Sequence, residues 1–548
     1  MITHYLTYIQ NSIKNYWSSE ALSNINGDTY TFGQMAGEIE RVHILFDKLG
    51  IKKGDKIAIC AKNSARWGIA FLSSTTYEAT TVPLLNDFTE ESIMHLTDHS
   101  DSKILFTDVD IWKKLDPEKM PQLLAVFCVA DFSLLFNRAG EQFLESYNKW
   151  DELFKERFPS FGPEDVDYPV NNFEDLALIN YTSGTTSAPK GVMLTYRSIS
   201  SNIQFGLTLI PNKQGWKIVS MLPMAHMYGL AFEFLYQLAG GCHIYFLGKI
   251  PSPKVLLNSF AMVKPYMVVT VPLVIEKIFK NSVFPTINKP SIKRLMKIPF
   301  FSNIIKNRVR RKILDAFGGQ LQHLIVGGAA INKEVEDCMK DIHMPYTVGY
   351  GMTECGPILG YEDWHKFKKQ SCGKAVHRVE VRVDSEDQEH IVGEIQVRGA
   401  NVMEGYFKNP EATKAAFTED GWMRTGDLGL IDEEGNIFIK GRSKNMILSA
   451  NGQNIYPEEI EDQLNNQPYV VESVVVERDK KIVALVYPDM DRVSQESLDE
   501  NDLSKLMENN RIKLNLMLPL YSRIAKIELR KKEFEKTPKR SIKRFLYK

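Results

Sequence analysis

Residues 29 to 107 alternate short apolar runs with longer stretches of helical period, and this rhythm restricts the fold more than any other feature of the chain. Thr29, Tyr30, Thr31 and Phe32 alternate like a strand. From Phe32 to Leu49 apolar residues recur at helical spacing, stopping at Gly50. Residues 56–60 predict a second strand, 64–76 a helix with Ser64 as its N-cap, 80–85 a strand, 92–99 a helix and 104–107 a strand. Such a βαβα succession folds as a doubly wound parallel sheet with helices on its faces. A further helix is expected over residues 5–18. With 548 residues the chain exceeds what one core holds, so several folding units are expected.

Residues 177–181 form another apolar, strand-like run, after which the chemistry changes. Thr182, Ser183, Thr185, Thr186 and Ser187 supply five hydroxyls within six residues, Gly184 and Gly191 allow tight turns, and Lys190 adds a flexible cation. Hydroxyls, backbone N–H groups and a lysine suit a polyphosphate, although the spacing is not that of a Walker A loop. Two glycine-rich turns follow predicted strands further on: Gly327-Gly328-Ala329-Ala330-Ile331 after 324–326, and Gly349-Tyr350-Gly351-Met352-Thr353-Glu354 after 346–348. Glycines let a backbone approach a purine, Tyr350 offers a ring to stack on it, and Thr353 suits a phosphate oxygen. Glu354 suits magnesium, a hard cation that keeps several waters. Asp427, after Gly421-Trp422-Met423-Arg424-Thr425-Gly426, suits a pair of hydroxyl donors.

Taken in order, these segments resemble the adenylate-forming, AMP-binding enzymes, whose signature loop commonly reads Tyr-Thr-Ser-Gly-Thr-Thr-Gly-x-Pro-Lys-Gly. Here Ser187 replaces its second glycine. The resemblance runs over nearly the whole chain. Residues 271–279, Val-Pro-Leu-Val-Ile-Glu-Lys-Ile-Phe, resemble a segment of long-chain fatty acyl-CoA synthetases. The resemblance implies an α/β fold: a large N-terminal domain of doubly wound sheets with a small barrel-like subdomain (1–442), then a small mobile α+β domain (443–548) hinged near Lys444. In that small domain strands are expected at 473–477 and 482–487 and a helix at 502–516.

It also implies roles. Thr182, Ser183, Gly184, Thr185, Thr186, Lys190, Gly328, Ala329, Tyr350, Gly351, Thr353, Asp427 and Arg442 would bind ATP. Thr186 and Glu354 would also be catalytic, with Glu354 holding Mg2+. His226, Tyr228 and Gly327 would line the acyl pocket, and Gly452 the channel for CoA. The family ending Lys-Thr-x-x-Gly-Lys-Ile-x-Arg carries a lysine that closes on the α-phosphate. This chain reads Lys536-Thr-Pro-Lys-Arg-Ser-Ile-Lys-Arg544, so Ser541 stands at that position. Lys543 is the preferred substitute and Lys539 the second.

The implied activity joins a carboxylic acid, a medium- or long-chain fatty acid, to ATP as acyl-AMP and then to CoA. Two alternatives stay open: transfer to an acyl carrier protein, and a nucleotide- or acyl-binding protein with little turnover. Net charge is −1, which argues against nucleic acid as a partner. From Lys277 to Lys312, however, eleven Lys or Arg occur with no Asp or Glu, a patch for anionic lipid or for CoA phosphates. Six scattered cysteines without a Cys-x-x-Cys pair, an N-terminus without the plan of a signal peptide, and no run long enough to span a bilayer predict a cytoplasmic protein, with peripheral membrane contact through 277–312.

Overall fold

The computed structural model describes residues 1–182, 189–249, 251–448, 453–479, 481–536 and 542–547. The predicted strands at 56–60, 80–85 and 104–107 form the middle of an eight-stranded sheet, whereas the first predicted strand, Thr29–Thr31, lies at the edge of the other large sheet, antiparallel to Glu20–Asn24. The five parallel strands of the eight-stranded sheet, in spatial order, are Leu176–Thr182, Thr80–Pro83, Lys56–Cys60, Ser102–Thr107 and Ala125–Cys128. The intervening helices begin where the sequence provides caps. The helix Phe32–Leu49 starts with a capping box: Gln34 N donates to Thr31 Oγ1 at 3.1 Å, and Thr31 N donates to Gln34 Oε1 at 2.9 Å. It ends at Gly50, whose φ of +67° is the left-handed conformation that glycine adopts without strain. The helix Ala65–Thr76 is capped by Ser64, which accepts from Trp67 N at 3.1 Å. All of its residues except Arg66 are buried, because it packs against strands of both large sheets.

The second large sheet has nine strands. Six run parallel in the order Tyr346–Gly351, His323–Gly327, Met267–Thr270, Lys217–Ser220, His243–Phe246 and Glu20–Asn24. One apolar core spans both sheets, with Trp67, Phe71, Phe106, Tyr196, Phe234 and Ile244 fully buried in it. The barrel-like subdomain takes the form of an antiparallel four-stranded sheet, Val379–Asp384, Gly393–Gly399, Met423–Ile431 and Ile437–Arg442. The C-terminal α+β part has strands Val470–Arg478, Lys481–Pro488 and Lys526–Leu529, with the helices Pro457–Asn465 and Glu500–Met517 sharing its core.

Several strands escape the sequence reading, among them Ala125–Cys128, His243–Phe246, Glu20–Asn24 and Lys526–Leu529; the last two show why. Glu20–Asn24 pairs with His243–Phe246, and Lys526–Leu529 with Lys481–Pro488. Both are short and mixed in polarity, and each owes its conformation to a remote partner. The strand that leads into the His226 loop is Lys217–Ser220. Its ladder stops because Met221 N and Leu222 N donate to the Glu233 carboxylate, at 3.0 and 2.9 Å, rather than to a neighbouring strand.

Candidate functional site

The carboxyl ends of parallel strands in an open α/β sheet form a crevice, and loops leaving them meet there. In the nine-stranded sheet, Met221, Leu247, Val271, Gly328 and Met352 each follow such a strand, and all five line one cavity of about 2820 Å³. The expected site residues converge on it from distant segments. Thr182 and Lys190 enter from the eight-stranded sheet, His226 and Tyr228 from the loop after residue 220, and Gly327, Gly328 and Ala329 from the first glycine-rich turn. Tyr350, Gly351, Thr353 and Glu354 line it from the second turn, and Asp427, Arg442 and Lys444 from the antiparallel sheet and its exit. Ser183, Gly184, Thr185, Thr186, Lys539, Ser541 and Gly452 lie outside the described residues.

Thr182 and Lys190 face each other across an antiparallel hairpin, so the hydroxyl-rich stretch connects two strands rather than a strand and a helix. Lys190 Nζ lies 4.7 Å from the centroid of the Tyr406 ring, a cation–π contact. The Tyr406 hydroxyl donates to Glu354 Oε1 at 3.0 Å. One aromatic residue thus spaces the lysine from the carboxylate; its role is invisible in the sequence because it comes from a two-residue strand, Gly405–Tyr406. Glu354 is a single carboxylate, and no cluster of three or more His, Cys, Asp or Glu able to hold a metal ion occurs among the described residues. That fits magnesium arriving on a polyphosphate, which needs one or two carboxylates, and not a metal caged by protein alone.

Asp427 is 3% exposed; it accepts a hydrogen bond from the Tyr350 hydroxyl at 2.7 Å and forms an ion pair with Arg442 Nε at 2.6 Å. Asp427 and Arg442 are cross-strand neighbours, which sets this contact. Burial pushes the Asp427 carboxyl above the ordinary aspartate range, opposed by the Arg442 charge and the Tyr350 hydroxyl.

Another wall of the cavity is built around the loop carrying His226. Asn63 accepts from Met224 N at 2.9 Å and donates to Leu222 O at 2.6 Å, and Asn180 donates to Ala225 O at 2.8 Å. Tyr228 donates to Ile325 O at 3.2 Å; a Cβ on Gly327 would lie 3.0 Å from its ring, so glycine at 327 leaves room for the tyrosine. Beyond these residues the cavity becomes apolar, lined by Leu256, Phe260, Val274, Ile278, Ile313 and Ala316. The segment 271–279 supplies part of this wall as the helix Pro272–Ile278, and Glu276 on it accepts from Asn332 N at 3.0 Å, tying the helix to the first glycine-rich turn.

Glu233 was not anticipated from the sequence. It is fully buried in the π-helix Leu230–Leu235, and its Oε2 accepts from Ser220 Oγ, Met221 N and Leu222 N. Burial raises its carboxyl well above the ordinary glutamate range, against those three hydrogen bonds. A group whose acid form is favoured by folding destabilises the native state as pH rises above its unfolded value. The slope is about 1.4 kcal/mol per pH unit until the folded value is reached. Glu233→Gln is therefore expected to flatten the fall in stability between mildly acidic and neutral pH, measured by denaturant unfolding across pH. An unchanged slope would show that Glu233 is already ionised.

The tail is arranged as an antiparallel bridge between Lys536 and Ile542. Ile542, Arg544 and Phe545 line the cavity, whereas Lys543 does not: its ammonium pairs with Glu535 at 3.6 Å. Arg544 is held by Glu461 at 2.6 Å and by Val475 O at 3.2 Å, which anchors the end of the hairpin.

Comparison with known proteins agrees with this architecture. The model of the AMP-binding enzyme family matches residues 9–407, and that of the AMP-binding enzyme C-terminal domain matches residues 444–547. The long-chain-fatty-acid–CoA ligase FadD15 of Mycobacterium bovis is 28% identical over 477 residues, covering 81% of this chain and 75% of the relative. The 4-coumarate–CoA ligase 1 of Petroselinum crispum is 26% identical over 491 residues, covering 86% and 81%. The solved O-succinylbenzoate coenzyme A synthetase MenE from Bacillus subtilis, in complex with ATP and magnesium ion, superposes with a TM-score of 0.74 at 21% identity over 100% of this chain and 99% of that one. By the extent of the match and the order of its motifs, this chain belongs to the family of AMP-binding, adenylate-forming enzymes.

Proposed function

We propose that the protein is an ATP-dependent acid–CoA ligase that activates a medium- or long-chain fatty acid as its acyl-adenylate and passes the acyl group to the CoA thiol. The observation that carries this reading is one cavity whose lining includes both the buried Asp427 carboxylate and the apolar Leu256, Phe260, Val274, Ile278 and Ile313. Relatives acting on fatty, coumaric and succinylbenzoic acids leave the acid itself open, and this apolar lining favours an alkyl chain.

In the adenylation step a carboxylate oxygen attacks the α-phosphorus of ATP, the bond to the β-phosphate bridge breaks, and pyrophosphate leaves with that electron pair. Asp427 would accept from the ribose hydroxyls, with Arg442 beside it, and Tyr350 and the Gly328–Ala329 backbone would flank the adenine. Thr182, Lys190 and Thr353, with Ser183, Gly184, Thr185 and Thr186, would bind the phosphates. Glu354 would hold magnesium, whose contribution is neutralising charge on the phosphates. His226, Tyr228 and Gly327 would set the direction of the acid. Because the carboxylate is already a nucleophile, alignment with phosphorus and charge stabilisation are the main tasks of these residues. In the second step the CoA thiol sulfur attacks the acyl carbon and AMP leaves, with the pantetheine passing near Gly452. Rotation about Lys444 would exchange the groups facing the adenylate.

A panel of carboxylic acids, read out by pyrophosphate release and then by thioester formation with CoA or a phosphopantetheinylated carrier protein, tests the reading. Each methylene of a straight-chain acid is expected to add up to about 0.8 kcal/mol of binding until the arm is filled. Activity that peaks at acetate or an aromatic acid removes the fatty acid and keeps the ligase. No acid-dependent pyrophosphate release removes both. Thioester formation with the carrier alone replaces CoA as acceptor.

A further inference from the structure

The helix Pro299–Ala316 carries two unlike faces. Inward, Val309, Ile313 and Ala316 wall the apolar arm of the cavity. Outward, Phe300 is 69% exposed, Phe301 42% and Ile304 50%, and just before the helix Leu295 and Ile298 are exposed as well. Helical spacing puts Phe300, Phe301, Ile304, Arg308 and Arg311 on one arc, with the apolar residues at its N-terminal end and the guanidinium groups along the rest. A lone exposed leucine would mean nothing, but five large apolar side chains within ten residues form a patch.

The charge around this patch is of one sign. Among the eleven Lys and Arg of 277–312, Lys306 has a carboxylate partner, Asp341 at 2.5 Å, and it lies off the outward arc. Asp315, the nearest acidic residue on the same helix, is at the far end of the face. Aromatic and aliphatic side chains bordered by Arg and Lys match the interface of an anionic bilayer. There, rings enter the boundary of the acyl chains and cations stay among the headgroups. A symmetric pairing of two copies through this face would instead gather four guanidinium groups, Arg308 and Arg311 of both copies, in one interface. No described helix is long and apolar enough to cross a membrane, so the contact would be peripheral. Lys312 is exposed and also lines the cavity, so the outward face borders the acyl arm.

We propose that the helix Pro299–Ala316, with Leu295 and Ile298, docks the protein on an anionic lipid bilayer and sets the apolar arm beside the phase that holds its acid. The link to the acid rests on the fatty-acid reading above; the docking itself does not.

Co-sedimentation with phosphatidylglycerol-containing vesicles and with pure phosphatidylcholine vesicles tests it without substrate. The full chain is expected to bind the former, to release as salt is raised, and to bind the latter weakly. With about 1 kcal/mol per surface cation, R308Q/R311Q is expected to lower the partition about 30-fold. F300S/F301S is expected to lower it at every salt concentration. Pyrophosphate release with a soluble short acid and no lipid is expected to be unchanged in both variants, which shows that they fold. No binding of the wild-type chain to anionic vesicles at low salt overturns the proposal, as does binding by both variants equal to wild type. A concentration-dependent dimer abolished by F300S/F301S, without vesicle binding, overturns it in favour of a second copy. Vesicle binding together with an acid panel that excludes fatty acids removes the substrate reading and leaves the docking surface standing.

Discussion

Asp427→Ala is expected to weaken ATP binding by about 1.5–3 kcal/mol for each charged hydrogen bond it removes, the largest effect of any single substitution on the nucleotide side. The carboxylate is almost fully buried and accepts from the buried Tyr350 hydroxyl, so its loss strands that donor in addition to those of a ribose, while Arg442, half exposed, loses an ion-pair partner. Asp427→Asn keeps the shape and removes the charge; it is expected to recover part of the affinity, because an amide oxygen still accepts. Calorimetric titration with ATP measures both, and affinity unchanged in Asp427→Ala would end the ribose assignment. The raised carboxyl also sets a direction with pH. The ionised form is the acceptor, so ATP affinity is expected to fall on acidification, starting at a higher pH than a surface aspartate would require.

The second large effect is expected in the tail. Adenylation needs a cation near the α-phosphate and thioester formation does not, so removing that cation should slow the first step by about 10²–10³ and spare the second. Lys543→Ala is the first variant. Its contact with Glu535 is a partly exposed pair worth under about 1 kcal/mol, which leaves the side chain free to exchange partners and the fold insensitive to its removal. Lys539→Ala is the second, since Ile542 and Arg544 face the cavity here and Lys543 between them does not. Acyl-AMP formation is measured by pyrophosphate release, and the thioester step by supplying acyl-AMP and CoA. Loss of adenylation in Lys539→Ala alone transfers the role to that residue. Equal loss of both steps in Lys543→Ala assigns it to folding, and no loss in either variant means that the chain adenylates without a tail lysine. Lys444→Pro, which restricts φ at the pivot proposed above, should show the opposite pattern: adenylation kept and thioester formation slowed.

Local patterns carried much of this molecule. The helix Phe32–Leu49, the cap at Ser64, the strand Lys56–Cys60 and the helix Glu500–Met517 follow from periodicity and capping chemistry within a few residues, so they are readable before any tertiary structure exists. The glycine-rich turns, Lys190 and Asp427 stand out in the sequence because nucleotide chemistry asks for particular residue types in short, ordered segments, and the structure brings all of them to one cavity.

Tertiary structure alone decided what supports those segments. Asn63 holds the His226 loop across 161 residues, Tyr406 bonds Glu354 across 52, and Glu276 bonds residue 332 across 56. Glu233, although close in sequence to the strand it ends, reads as one more polar residue in an apolar helix until burial leaves Ser220, Met221 and Leu222 as its hydrogen-bond donors. A hydrogen bond between remote residues depends on strand order and on which faces are buried, and neither is written in local spacing. The same reason explains the tail. The sequence places Lys543 one position from Arg544, and only tertiary contacts separate them: Arg544 pairs with Glu461 and lines the cavity, whereas Lys543 turns to Glu535.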